Sequence, residues 1–300
     1  MEERSLSSKI TESLIRNRPM INMTEDEYRK KIMALGENDN VLPPIFIAMI
    51  SIEDYKGIKV YKWNSNKEPD QTIIFYVHGG EFVYNPLGSH FDSLYEIAKK
   101  TNSMVILPIY HKLPNYTYKD NYPVLISLYK EVLTSHPNSK IILMGDSAGG
   151  GMALVLAQLF RSEGIRQPNE IILISPWVDL NTEHPQQDAY EEADPLLIPW
   201  KLQMLGKMWA GDRDTSDPMV SPIYGDFNDL AHITLFVGTR EIFFPDIIKL
   251  DKILTDNGIF HDLIVGQEQN HVYVLYPIPE GKDARAKIIN IINQTDIAWY

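Results

Sequence analysis

Six short runs of this chain are apolar with almost no polar interruption, and they limit how it can fold more than any other feature. They are Thr72–His78 (TIIFYVH), Met104–Tyr110 (MVILPIY), Lys140–Met144 (KIILM), Glu170–Ser175 (EIILIS), Ile233–Gly238 (ITLFVG) and His261–Gly266 (HDLIVG). A strand that faces water on one side alternates polar and apolar residues, whereas a strand buried on both sides need not. Runs this short and this apolar read as inner strands of a parallel sheet. Helix-length segments lie between most of them, at roughly 90–100, 121–135, 148–163 and 246–257. Alternation of this kind predicts an α/β protein with a mostly parallel, doubly wound sheet covered by helices on both faces. Ile58–Trp63 (IKVYKW) reads as one further strand ahead of the six.

Two helical pieces stand outside the alternation. In the first, Leu6, Ile10 and Leu14 fall at i, i+4 and i+8 on one helical face, and Thr24 to Glu27 forms a capping box that opens a second helix. The other piece lies in the roughly fifty residues between Leu180 and Ile233. There a polar stretch precedes LLIPWKLQMLGKMWAGD, in which Ile198, Leu202, Leu205 and Trp209 line one face and Pro199 sits in the first turn. An insertion like this packs over the sheet, and the N-terminal helices can join it as a cap. At 300 residues the chain suits one large domain, with cap elements at approximately 1–45 and 183–212 and the core at 46–182 and 213–300.

The net charge of −12 disfavours nucleic acid and anionic membranes as partners, since both call for basic patches. With no cysteine, disulfides, thiolate nucleophiles and cysteine-held metals are excluded. The first residues carry no basic segment followed by an apolar one, and no run approaches the length of a membrane span. A cytoplasmic protein is the expectation.

Chemistry enters at Gly145-Asp146-Ser147-Ala148-Gly149, directly after one apolar strand and directly before a helix. That setting turns a G-x-S-x-G pattern into a nucleophile elbow, which holds the serine on a strained turn at the sheet edge beside a helix N-terminus. A second strand ends in His78-Gly79-Gly80-Glu81. Adjacent glycines let backbone approach a ligand closely, and backbone N–H groups stabilise the oxygen that gains charge in acyl transfer. The amides of Gly79, Gly80 and Ala148 are therefore assigned to an oxyanion hole, with His78 as a brace for the loop.

A nucleophilic serine needs a base, and the base needs a carboxylate. On such an elbow the chain order is serine, acid, histidine. His261 lies at a strand start, while His271 lies in the loop after the last strand, so His271 is assigned as the base. After ITLFVG come Glu241, three residues into the loop, and Asp246, which suits the opening of the next helix. Glu241 is taken as the acid, with Asp246 as the alternative.

Taken together, His78-Gly79-Gly80 and Gly145-Asp146-Ser147-Ala148-Gly149-Gly150 resemble the hormone-sensitive-lipase-like group of α/β-hydrolases, marked by HGGG and GDSAGG. The resemblance extends through SPWVDL, DPLL (Asp194–Leu197), DPMVSPIYGD (Asp217–Asp226) and the His271 loop, roughly residues 70 to 280. It implies carboxylesterase activity, an α/β-hydrolase core and a helical cap. Three positions depart from the family pattern. Glu81 stands in place of the third glycine, Tyr110 to Asn115 lacks the family's Arg and Glu, and Glu241 stands where relatives usually carry Asp.

The expected reaction is a two-step hydrolysis of a small-molecule ester with no metal or organic cofactor. If Leu202, Leu205, Met208 and Trp209 line an acyl pocket, acetyl to butyryl groups fit it best. Rival readings are a ligand-binding protein on the same fold, a peptidase and a lipase. An uncovered edge strand near the C-terminus could pair two chains as a homodimer.

Overall fold

The computed structural model describes residues 4–17, 23–35, 41, 50–66, 68–185 and 187–294. At its centre is a sheet of eight strands in the order β1-β2-β4-β3-β5-β6-β7-β8. The strands are β1 (Ser51–Tyr55), β2 (Ile58–Trp63), β3 (Ile73–Val77), β4 (Met104–Ile109), β5 (Ile141–Asp146), β6 (Glu170–Ile174), β7 (His232–Gly238) and β8 (His261–Gly266). From β4 to β8 every neighbouring pair is parallel, while β1 and β2 join antiparallel at one edge.

The apolar runs are unbroken because successive residues enter different cores. Ile73, Phe75, Val77, Leu143, Leu173 and Leu235 face one cluster. Their neighbours Ile74, Tyr76, Met144, Ile172 and Phe236 face the other. On the first side lie α4 (Tyr118–Ser135), α5 (Ser147–Ser162) and α8 (Phe244–Asp256); on the second lie α3 (Gly88–Thr101) and α9 (Pro279–Asn293). The expected doubly wound architecture is the one present. Among the described residues no helix is long and apolar enough to cross a membrane.

Outside this frame are α1 (Leu6–Arg16), α2 (Glu25–Met33), α6 (Gln187–Ala193) and α7 (Pro199–Ala210). The capping box forms: Glu27 takes the Thr24 amide at 2.9 Å. The N-terminal and mid-chain helices meet. Arg16 donates to the carbonyl of Ala193 at 2.8 Å, and the rings of Tyr28 and Trp200 meet edge-on at 5.9 Å.

Two elements differ from the sequence reading. The α1 stripe of Leu6, Ile10 and Leu14 is 73%, 52% and 69% exposed, and the helix instead buries Ser8 and Ile15. Ser8 Oγ donates to Gln269 Oε1 at 3.0 Å, Ser5 Oγ to Glu280 at 2.8 Å, and Glu12 pairs with Arg240 at 3.1 Å, so polar ties accompany a rotation that the apolar periodicity does not indicate. The strand β1 (SIEDY) carries no apolar run, because it is almost wholly exposed. Antiparallel backbone pairing joins it to β2, and the ion pairs Asp54 with Lys59 and Glu53 with Lys62, both at 2.6 Å, lie across the same two strands.

Gly149 lies where α5 leaves β5 and crosses β3. A Cβ there would sit 2.2 Å from the Val77 carbonyl oxygen and 2.4 Å from that of His78. Both are backbone atoms that cannot swing aside. Gly149→Ala is expected to cost stability at or above the upper end of the ~1–3 kcal/mol typical of overpacking, as read from the urea unfolding midpoint.

Candidate active site

Ser147 is the first residue of α5 and has φ +50°, a left-handed conformation that a non-glycine residue adopts at a cost of ~1–3 kcal/mol. The tight strand-to-helix turn imposes it. His271 follows β8, and Glu241 follows β7. The three loops converge: His271 Nε2 accepts from Ser147 Oγ at 2.9 Å, and His271 Nδ1–H donates to Glu241 Oε2 at 2.5 Å. Because a carboxylate can only accept, this pairing places the neutral imidazole's proton on Nδ1 and leaves Nε2 open to the serine.

The other oxygen of Glu241 is equally committed. Oε1 accepts from Ser175 Oγ at 2.9 Å and from the Gly238 amide at 2.6 Å. Ser175 Oγ in turn accepts from the Val272 amide at 3.0 Å, so one hydroxyl fastens the acid to the loop that carries the histidine. The sequence reading did not pick out Ser175, although it opens the SPWVDL segment.

Burial alone pushes the His271 imidazole down. The hydrogen bond and charge of Glu241, with the carboxylates of Asp194 and Asp146, outweigh that and hold it above the ordinary value of 6.5. His261 is elsewhere, bonded to Ile259 and Asp251 at the start of β8. Asp246 lies in the first turn of α8, as its place after Pro245 suggested, and the carboxylate bonded to His271 is that of Glu241.

The loop after β3 differs in one respect from expectation. The Gly79 amide does not face an open site: it donates to Asp146 Oδ1 at 2.8 Å. Asp146 is fully buried and also accepts from Tyr76 Oη at 2.8 Å and from His90 Nε2 at 3.2 Å. Its burial requires those donors, and the residue beside the serine thereby locks the glycine loop to the elbow. The next two amides, of Gly80 and Glu81, have no partner among the described residues. Gly80 takes φ +114°, and a Cβ on it would lie 2.6 Å from the Tyr84 carbonyl oxygen, so only glycine fits. Ala148 is in the first turn of α5, where amides have no acceptor within the helix. His78 braces the loop: its Nδ1 donates to the Gly79 carbonyl at 2.6 Å and its ring stacks on Tyr110 at 4.5 Å.

Glu81 points to the N-terminal helices. Its carboxylate accepts from Tyr28 Oη at 3.1 Å. Burial raises its pKa, and the hydrogen bond from Tyr28 with the nearby charges of Lys201 and His271 offsets only part of that. Of the residues assigned to a pocket, Leu202, Leu205 and Trp209 are fully buried in the main core and Met208 packs half-buried against it. Phe82 stacks on Trp209 at 4.2 Å, so this helix face supports the glycine loop, and of the four residues only Met208 keeps exposed surface.

A serine on a strand-to-helix elbow, linked to a histidine and a buried carboxylate at the edge of a parallel sheet, defines a hydrolase of the nucleophile-elbow type. Residues 74–275 match the family described as alpha/beta hydrolase fold. The chain belongs to that family. It is 26% identical to an esterase from Acinetobacter venetianus, over 96% of each chain. It is also 26% identical to a triacylglycerol lipase from Mycobacterium tuberculosis, over 90% of this chain but 58% of the lipase, so it spans little more than half of that relative. A crystal structure of an esterase from the bacterial hormone-sensitive lipase family superimposes with a TM-score of 0.83, at 22% identity, over 98% of this chain and 99% of that one.

Asp246, the alternative acid, is a buried carboxyl whose titration can be read in the stability of the fold. Burial, then the charge of Asp179, push its carboxyl up to about 7 from the ordinary 3.8, with Lys249 opposing. Folding therefore favours the protonated form, and stability is lost as pH rises from about 4 to about 7. The helix N-terminus offsets part of that loss. Asp246→Asn is expected to gain on the order of 2 kcal/mol at pH 8 and almost nothing at pH 4, measured as melting temperature at both values.

Proposed function

We propose that this chain is a serine carboxylesterase for short acyl esters, acetyl to butyryl, with Ser147 as nucleophile, His271 as base and Glu241 as acid. The observation that carries the reading is the unbroken hydrogen-bonded line from Ser147 Oγ through His271 to a carboxylate with no exposed surface.

Ser147 Oγ attacks the ester carbonyl carbon while His271 Nε2 takes its proton. Glu241 holds the ring and stabilises the imidazolium that forms. The carbonyl oxygen gains negative charge and accepts hydrogen bonds from the backbone amides of Gly80 and Ala148, with that of Glu81 in the role first given to Gly79. Each such donor contributes ~3–4 kcal/mol to the transition state. The imidazolium then protonates the leaving alcohol, giving an acyl-serine. Water, deprotonated by His271, attacks the acyl carbon and releases the acid as Ser147 regains its proton.

Short acyl groups are favoured because Trp209, stacked on Phe82, fills the space behind the glycine loop, and because Glu81, Tyr28 and Lys201 place polar groups beside it. A long alkyl chain would have to desolvate them. The helices α1, α2, α6 and α7 serve as the cap over this site.

Turnover of p-nitrophenyl acetate and butyrate is expected to exceed that of octanoate and palmitate, and Ser147→Ala to lower it about a thousandfold or more. Equal rates for all four chain lengths would contradict the short-chain assignment. Since His271 must be neutral to act as base, kcat/KM should fall on the acid side with a midpoint above 6.5.

A further inference from the structure

Asp194 lies between α6 and α7, at the head of Asp194-Pro195-Leu196-Leu197. It is only 4% exposed, and a carboxylate taken so far from water needs hydrogen bonds. One oxygen serves its own turn: Oδ1 accepts from the amides of Leu196 at 2.8 Å and Leu197 at 3.0 Å. The other reaches out of the mid-chain segment altogether. Oδ2 accepts from the Ile242 amide at 2.9 Å. Ile242 follows Glu241 directly, so this bond grips the peptide that carries the acid. The Asp194 amide, bonded to the Tyr190 carbonyl at 2.8 Å, ties the clamp back to α6.

The carboxylate also faces the imidazole electrostatically. The acidic groups that act on His271 are Glu241, Asp194 and Asp146. Glu81 interacts with both His271 and Asp194 from the other side. Of the four, Glu241 alone bonds the ring. Asp194 acts on it through space, and on Glu241 through the backbone.

We propose that Asp194 is a positioning residue for the ester hydrolysis, clamping the Glu241 turn through the Ile242 amide and adding a further buried negative charge that favours the imidazolium. The proposal rests on the esterase reading of the site. A residue that merely closed its own turn would use Oδ1 and leave the 241–243 peptide alone. Burial pushes the Asp194 carboxyl up to about 6, against the charge of His271 and the three amides. At pH 8 it is ionised and available to the imidazolium.

Asp194→Asn is the direct test. The carboxamide keeps an oxygen for Leu196 and Leu197, but its NH2 then meets the Ile242 N–H, donor against donor, and the charge is gone. With p-nitrophenyl acetate, kcat at pH 8 is expected to fall about tenfold or more with KM within about twofold. The acid limb of kcat/KM should move to lower pH by about half a unit or more, because the imidazolium loses a supporting charge. Asp194→Ser also drops the charge and the Ile242 contact while keeping one acceptor for the turn, and it gives the same two readouts if the asparagine variant does not fold. A folded variant with wild-type kcat and an unmoved acid limb overturns the proposal. Failure of the esterase reading is distinguishable, since it appears as a wild type with no turnover above Ser147→Ala.

Discussion

A carboxylate with no exposed surface has to be surrounded by donors, and Glu241 imposes that requirement on this fold. Its two oxygens receive His271 Nδ1–H, Ser175 Oγ–H and the Gly238 amide. These donors come from the loop after β8, the end of β6 and the end of β7. Satisfying one buried charge therefore fixes the relative position of three strand ends. Removing any donor would leave a buried acceptor short, at a cost of ~1–3 kcal/mol. The geometry at Ser147 follows, because His271 can reach the serine only from where Glu241 holds it.

An aromatic chain gives the polar line its rigidity. Trp209 of α7 stacks on Phe82 of the glycine loop, Phe82 on Trp177, and Trp177 on Phe243, two residues beyond Glu241. Phe243 in turn meets the His271 ring edge-on at 5.2 Å. Each ring belongs to a different segment, so the mid-chain helices are packed into the same assembly that holds the histidine. Asp146 does the corresponding work on the other flank, joining the elbow to the glycine loop through the Gly79 amide.

Much of this was legible in the sequence where a single residue type has few physical uses. Unbroken apolar runs located the inner strands, because burial on both faces leaves no polar positions. The elbow was legible because serine between glycines at a strand-to-helix junction has few other uses, and chain order then narrowed the acid to Glu241 or Asp246 and the histidine to His261 or His271. What stayed hidden depends on long-range partners. The role of Gly79 turns on Asp146, 67 residues away, claiming its amide. The orientation of α1 turns on polar ties to distant residues, Ser5 to Glu280, Ser8 to Gln269 and Glu12 to Arg240. Strand β1 is polar because both its faces see solvent, so no apolar pattern could mark it. In α7 the apolar face was visible, but only the stack on Phe82 tells where that face is spent.

The most direct measurement is the site of acylation. Wild-type protein mixed briefly with p-nitrophenyl acetate, quenched in acid and digested, should carry one acetyl group on the peptide that contains Ser147, and His271→Ala should show almost none. An acetyl group found elsewhere, or turnover with Ser147 unmodified, would contradict the account.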